Sequence, residues 1–291
     1  MEGAVRQASR KRILNTVCGA FSKRWHQITA DNGVPCEKVE VPMGQAITPA
    51  LVDEALSQGD YDAVTIVMNE TSTGVMSPVA DIAAMIHEKY PNVLILVDAV
   101  SCMAGTRIEF DAWGLDVCLA GVQKCFALPA GLTVCAVSDR ARARALEVGN
   151  GGYYFSYEQM DKKYEKHQTP ATPAISLMQA LNAQMDAILN EGLENRWRRH
   201  KDMAAIVQEW AQSYFGLYSD PEYLSVTVTN VENTRGISVA GLNQALRERG
   251  AIISNGYGDL KEKCFRIAHM GDITVDDVNW LLEQINDILG L

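Results

Sequence analysis

Four short apolar runs, at 62–68 (DAVTIVM), 92–97 (NVLILV), 115–119 (LDVCL) and 131–137 (GLTVCAV), lack regular polar alternation. A strand with one wet face must alternate, so these runs predict strands covered on both faces, as in a parallel sheet layered by helices. Between the first two stands Ser77-Pro78, a cap followed by proline at the first helical position. Val79, Ile82, Ala83 and Ile86 then follow at helical spacing up to Pro91. That is a βαβ unit, so part of the sheet is parallel. A helical region is expected from about Pro173 to Phe215, broken at Gly192, with Met178, Leu181, Met185 and Ile188 on one face. The texture then changes. Residues 223–229 (YLSVTVT) alternate like a half-exposed strand, Ser238 caps a helix reaching Gly250, 264–268 (CFRIA) reads as another strand, and Thr274 with Asp277 opens a last helix. We expect an α/β chain with a large domain at 1–190 and a smaller α+β domain at 191–291.

A length of 291 residues with 47% hydrophobic and 21% charged residues supports a large core and excludes disorder, collagen and coiled coil. The net charge of −10 and the lack of a long Lys/Arg run remove the electrostatic footprint of a nucleic-acid binder, which leaves a small-molecule partner. The seven cysteines (18, 36, 102, 118, 125, 135, 264) are odd in number and mostly sit in apolar runs. They include no C-x-x-C pair, so they predict reduced core thiols in a cytoplasmic protein and no metal site. No stretch approaches the roughly 18 consecutive apolar residues of a spanning helix, and no signal peptide is expected at MEGAVRQASRKR.

Two charged residues stand out against their surroundings. Between Ala112 and Ser138 the only ones are Asp116 and Lys124, and Lys124 sits in AGVQKCFALPAGL. Such a lysine either snorkels from a loop to solvent or is desolvated, so that its pKa falls and it can attack a carbonyl to form a Schiff base. Asp98 directly follows the apolar run NVLILV, at the strand end where parallel sheets bind ligands. It either caps a turn or faces a cationic partner such as a protonated ring nitrogen, which it would keep protonated so that the ring acts as an electron sink.

VDAVSCMAG at 97–105, AGVQK at 120–124 and LPAGL at 128–132 together resemble the cofactor segment of class V pyridoxal-phosphate-dependent aminotransferases, the alanine/serine–glyoxylate kind, in which the aspartate precedes the lysine by the same 26-residue step as from Asp98 to Lys124. NETSTGV (69–75), GAFSKRW (19–25), QTPATPAISL (168–177) and RIAHMG (266–271) are similar to further family motifs, in family order. The resemblance implies the fold-type-I pyridoxal-phosphate transferase fold and a homodimer with shared active sites. It implies transfer of an amino group from a small amino acid to a 2-oxo acid such as glyoxylate or pyruvate. Lys124 would hold pyridoxal 5′-phosphate and move the proton at the substrate α-carbon; Asp98 would face the pyridine nitrogen. Thr71 would bond the phenolic oxygen, Gln123 the phosphate, and Phe21 would cover the ring. Arg266 would grip the substrate carboxylate, and Thr169 or Thr172 would reach the partner's phosphate. His269 takes no role.

A lyase or desulfurase of the same fold would carry a histidine before the lysine, where this chain has Gln123. Met1-Glu2-Gly3-Ala4-Val5 resembles the interior of the helix whose N-terminus binds the cofactor phosphate in the family. The expectation is therefore a truncated family chain that, taken alone, retains cofactor weakly and turns over little, or else an impaired remnant. The preferred amino donor is not legible.

Overall fold

The computed structural model describes residues 1–291. Its first part runs α1 (Glu2–Ala8), β1 (Ile13–Val17), α2 (Ala20–Asp31), β2 (Cys36–Glu40), α3 (Pro49–Ser57) and β3 (Ala63–Val67), then a hairpin of β4 (Asn69–Glu70) and β5 (Val75–Met76), then α4 (Val79–Lys89), β6 (Leu94–Asp98), β7 (Val117–Gly121) and β8 (Thr133–Val137). Six strands form one sheet in the order β2-β1-β3-β6-β7-β8, parallel except between β7 and β8.

The missing polar alternation has a direct cause. The two-residue period of a strand sends Ile13, Ala63, Val67, Leu94 and Leu96 to one face and Leu14, Val64, Ile66, Ile95 and Val97 to the other. Separate apolar clusters cover each face, one with Val5 of α1 and Trp25 of α2, the other with Val52 of α3 and Ile82 and Ile86 of α4. Each Val, Leu or Ile among them contributes about 1.5–3 kcal/mol by burial. The expectation of two covered faces fails at β8, where Thr133, Cys135 and Ala136 are exposed. That strand ends the sheet order and pairs on one side only. Its apolar run signals a strand, while its place at the edge sets its burial.

The chain continues through α5 (Asp139–Val148), α6 (Tyr157–Tyr164), α7 (Ile175–Glu191), α8 (Leu193–Tyr214), β9 (Gly216–Leu217), β10 (Val228–Glu232), α9 (Val239–Glu248), β11 (Ser254–Asn255), β12 (Cys264–Ala268) and α10 (Val275–Leu289). Four of these strands make an antiparallel sheet, β11-β12-β10-β9. Helices α8, α9 and α10 pack against it through Val207, Trp210, Leu246, Leu282 and Ile285, around Phe265 and Ile267. Gly192 breaks the long helical stretch as expected. Ser238 caps α9 by accepting the Gly241 N–H at 3.0 Å, and Thr274 and Asp277 form the capping box of α10.

Two local expectations are corrected. Residues 223–229 do not form a half-exposed strand; β10 starts at Val228. Ser225, Thr227 and Thr229 are all buried, and Val228 with them, so the polar residues are not the exposed ones. The Ser225 N–H donates to Gly74 O at 2.9 Å and the Thr227 hydroxyl to Ser101 O at 2.7 Å, so the segment docks onto the first sheet's loops. Ser77 does not cap α4: its hydroxyl accepts the Ile47 N–H at 3.1 Å, and Pro78 takes the cap position. On α7 only Ile188 is buried, leaving Ile175, Met178, Met185 and Leu189 exposed.

Candidate active site

Asp98 is the last residue of β6 and lies in register with Leu119 of β7. The chain leaves β7 at Gly121 and turns at once, Lys124 O accepting the Ala127 N–H at 2.9 Å. Aspartate and lysine therefore emerge from the carboxyl ends of adjacent parallel strands, where α/β sheets form their ligand crevice. Asp98 is 4% exposed, and its carboxyl receives one N–H from the protein, that of Val100 at 2.8 Å. Burial pushes its pKa up to about 6, with nearby Glu70 adding to the rise and the Val100 N–H and the Met1 amine opposing it. Lys124 is half-buried; burial lowers its pKa, and the Arg266 cation lowers it further.

Arg266 reaches the same space from β12, which is an inner strand of the second sheet. Its Nε and Nη2 donate to Asn255 O and its Nη1 to Thr71 O, each at 3.2 Å. Thr71 and Arg266 thus meet although 195 residues apart. Phe21 lies in the first turn of α2, half-buried, its ring centroid 5.3 Å from that of Tyr257. Gln123 is exposed, with its amide folded back over Gly121. Thr169 and Thr172 are exposed, and the Thr169 hydroxyl turns to Ala171 O at 2.6 Å, so within one chain neither joins this cluster. His269 is fully buried, 2.9 Å from the Thr229 hydroxyl, and burial pushes its pKa down to about 4.

Sequence reasoning passed over two residues of the cluster. Glu70 is fully buried and receives the N–H groups of Phe21 (3.2 Å), Ser22 (2.9 Å) and Ser72 (3.2 Å) and the hydroxyls of Ser22 (2.9 Å) and Ser72 (2.6 Å). Its carboxylate sits at the N-terminus of α2, where free N–H groups and the helix dipole favour a negative charge. The signal was available, since Glu70 follows the apolar run 62–68 much as Asp98 follows 92–97. Tyr257 accepts an N–H of Arg24 at 2.9 Å and lies 5.7 Å below the Arg266 guanidinium. Nothing in NGYGD marks it beforehand.

The fold thus sets an aspartate and a half-buried lysine at the carboxyl edge of a mostly parallel sheet and brings an arginine towards them from a second sheet. Residues 3–272 match the family model described as aminotransferase class-V. This chain belongs to the class V aminotransferase family and is a transaminase. It is 34% identical to an uncharacterized aminotransferase of Methanocaldococcus jannaschii, over 89% of this chain and 68% of that protein. It is 30% identical to the L-aspartate–glyoxylate aminotransferase of Paracoccus denitrificans, over 90% of this chain and 68% of that protein. The crystal structure of alanine–glyoxylate aminotransferase from Nostoc sp. superposes with a TM-score of 0.92 at 25% identity, covering 99% of this chain and 78% of that one.

Proposed function

We propose that this cluster holds pyridoxal 5′-phosphate through Lys124, and that the chain moves an amino group from a small amino acid such as alanine or serine to a 2-oxo acid such as glyoxylate or pyruvate. Asp98 carries the reading. A carboxylate this buried, with a single donor from the protein, has lone pairs that call for another. A protonated pyridine nitrogen supplies that donor. The residues present fit the group in kind as well: an amine, an aromatic ring, a hydroxyl and an amide. Glyoxylate in the names of the relatives supports the choice of acceptor.

When bound, the cofactor supplies an electron sink for the substrate's α-carbon. Asp98 would keep the ring nitrogen protonated, and Phe21 would cover the ring. Thr71 would bond the phenolic oxygen, and Gln123 the phosphate. Burial and the Arg266 cation both lower the pKa of Lys124, which favours its amine as the base that would take the α-proton and return it. Arg266 uses three of its N–H groups on Asn255 and Thr71. The other two of a guanidinium's five grip the substrate carboxylate. The exposed apolar face of α7 suits a homodimer, which would bring Thr169 or Thr172 to the partner's phosphate. The chain divides into a cofactor unit of 1–190 and a smaller unit of 191–291, and seven free cysteines suit a reducing cytoplasm.

Titration with cofactor should give a yellow absorbance that borohydride fixes and that Lys124→Ala loses, with alanine–glyoxylate and serine–glyoxylate turnover lost alongside. An unchanged spectrum in Lys124→Ala would remove Lys124 from this role.

A further inference from the structure

Arg196, near the start of α8, is 2% exposed, and the mechanism above leaves it without a task. Its guanidinium meets four acceptors at once. Nε donates to Ala104 O at 3.1 Å and Nη1 to Glu191 at 2.7 Å, while Nη2 is shared between Cys125 O at 2.7 Å and Asp272 at 3.0 Å. Two of these acceptors are the carbonyls of the turns that follow Asp98 and Lys124. Both turns contain a non-glycine residue with left-handed backbone, Ala104 at φ 70° and Ala127 at φ 57°. Such conformations cost energy and persist only where the surroundings hold them. Gly271 stands close by as well, since a Cβ there would meet Ala127 Cβ at 3.1 Å and Lys124 O at 3.3 Å.

We propose that Arg196 is a positioning residue for Lys124, its planar fork locking the lysine's turn to the turn that follows Asp98. Glu191 and Asp272 balance its charge, and Glu191 is itself held by Arg199. A lysine in its place would keep the charge but could not span the two carbonyls. The inference rests on Lys124 being the cofactor lysine, and the test separates the two.

In the cofactor-free chain, the pH dependence of Lys124 labelling by an amine reagent, read residue by residue by mass spectrometry, reports how far its amine is held from water. In Arg196→Lys and Arg196→Gln the labelling midpoint should rise by about one pH unit towards that of an ordinary lysine. In Glu191→Gln, which leaves both carbonyl contacts in place, it should stay. If Arg196→Gln does not fold, Arg196→Lys, which retains a buried cation, carries the comparison. A folded Arg196→Lys protein with lowered thermal stability and an unchanged midpoint would make Arg196 merely structural and overturn the proposal. So would a Glu191→Gln midpoint that moves as far as that of Arg196→Lys. Yellow absorbance surviving in Lys124→Ala would sink the cofactor reading instead, whatever the midpoints do.

Discussion

Asp98 is expensive to keep. Its carboxyl titrates at about 6 in the folded chain against an ordinary 3.8, so the folded state binds its proton more tightly than the unfolded state does. Stability from this group is present at low pH, falls as pH rises from about 4 to 6, and stays lower above that. Two pKa units correspond to about 3 kcal/mol. Asp98→Asn should therefore melt higher than the parent at pH 7.5, with the gap closing near pH 4, while single-turnover removal of the α-proton slows strongly. Such a trade of stability for function is common where a buried charge does chemistry. Equal melting temperatures at pH 7.5 would show that burial of Asp98 carries no cost.

At the scale of elements, the β4–β5 hairpin decides how closely the two sheets approach. Gly74, in its turn, has φ +79°, and a Cβ there would stand 3.0 Å from the Asn230 N of β10. Its carbonyl also receives the Ser225 N–H at 2.9 Å. Gly74→Ala should destabilise the chain by about 2–3 kcal/mol, of which 1–2 is the left-handed backbone and the rest the displaced strand. Gly236, also at positive φ but with nothing within 4 Å, isolates the backbone part as Gly236→Ala. Because Thr71 of the same hairpin accepts from Arg266, Gly74→Ala should also raise KM for the amino donor and Gly236→Ala should not. Denaturant titration with steady-state kinetics on both variants checks this. Equal losses in the two would put the cost in the backbone alone.

At the scale of the whole molecule, acid should loosen the second sheet and the helix packed on it. His200 and His269 are fully buried, and burial pushes each down to about 4 from 6.5. His200 bonds Arg196 O at 2.8 Å and accepts the Gly271 N–H at 3.0 Å, so a second proton would break the latter contact. The unfolded chain takes up protons first, so this stability is complete above about pH 6.5 and is lost as pH falls towards 4. It amounts to about 3 kcal/mol for each histidine, more together than Asp98 returns over the same range. Urea midpoints measured from pH 7.5 to 4.5 should fall steadily, and His269→Gln should flatten the slope. A level profile would mean that the folded chain takes up protons as readily as the unfolded one, so that burial does not lower the two rings' pKa. No helix is long and apolar enough to cross a membrane.

The local chemistry of the sequence determined the strands β3, β6, β7, β8 and β12, the break at Gly192, the caps at Ser238 and Thr274, and the prominence of Lys124 and Asp98, because periodicity, backbone preference and a charge in an apolar run are properties of neighbours along the chain. Tertiary structure alone decided that β8 lies at an edge, that Ser225 and Thr227 turn inward, that Ser77 serves Ile47, that Tyr257 meets Phe21 and Arg266, and that Arg196 holds the turns after the two predicted residues. A polar group's partner is whatever the fold brings within about 3 Å of it. For Arg196 those partners lie as far as 92 residues away, beyond the reach of any local pattern.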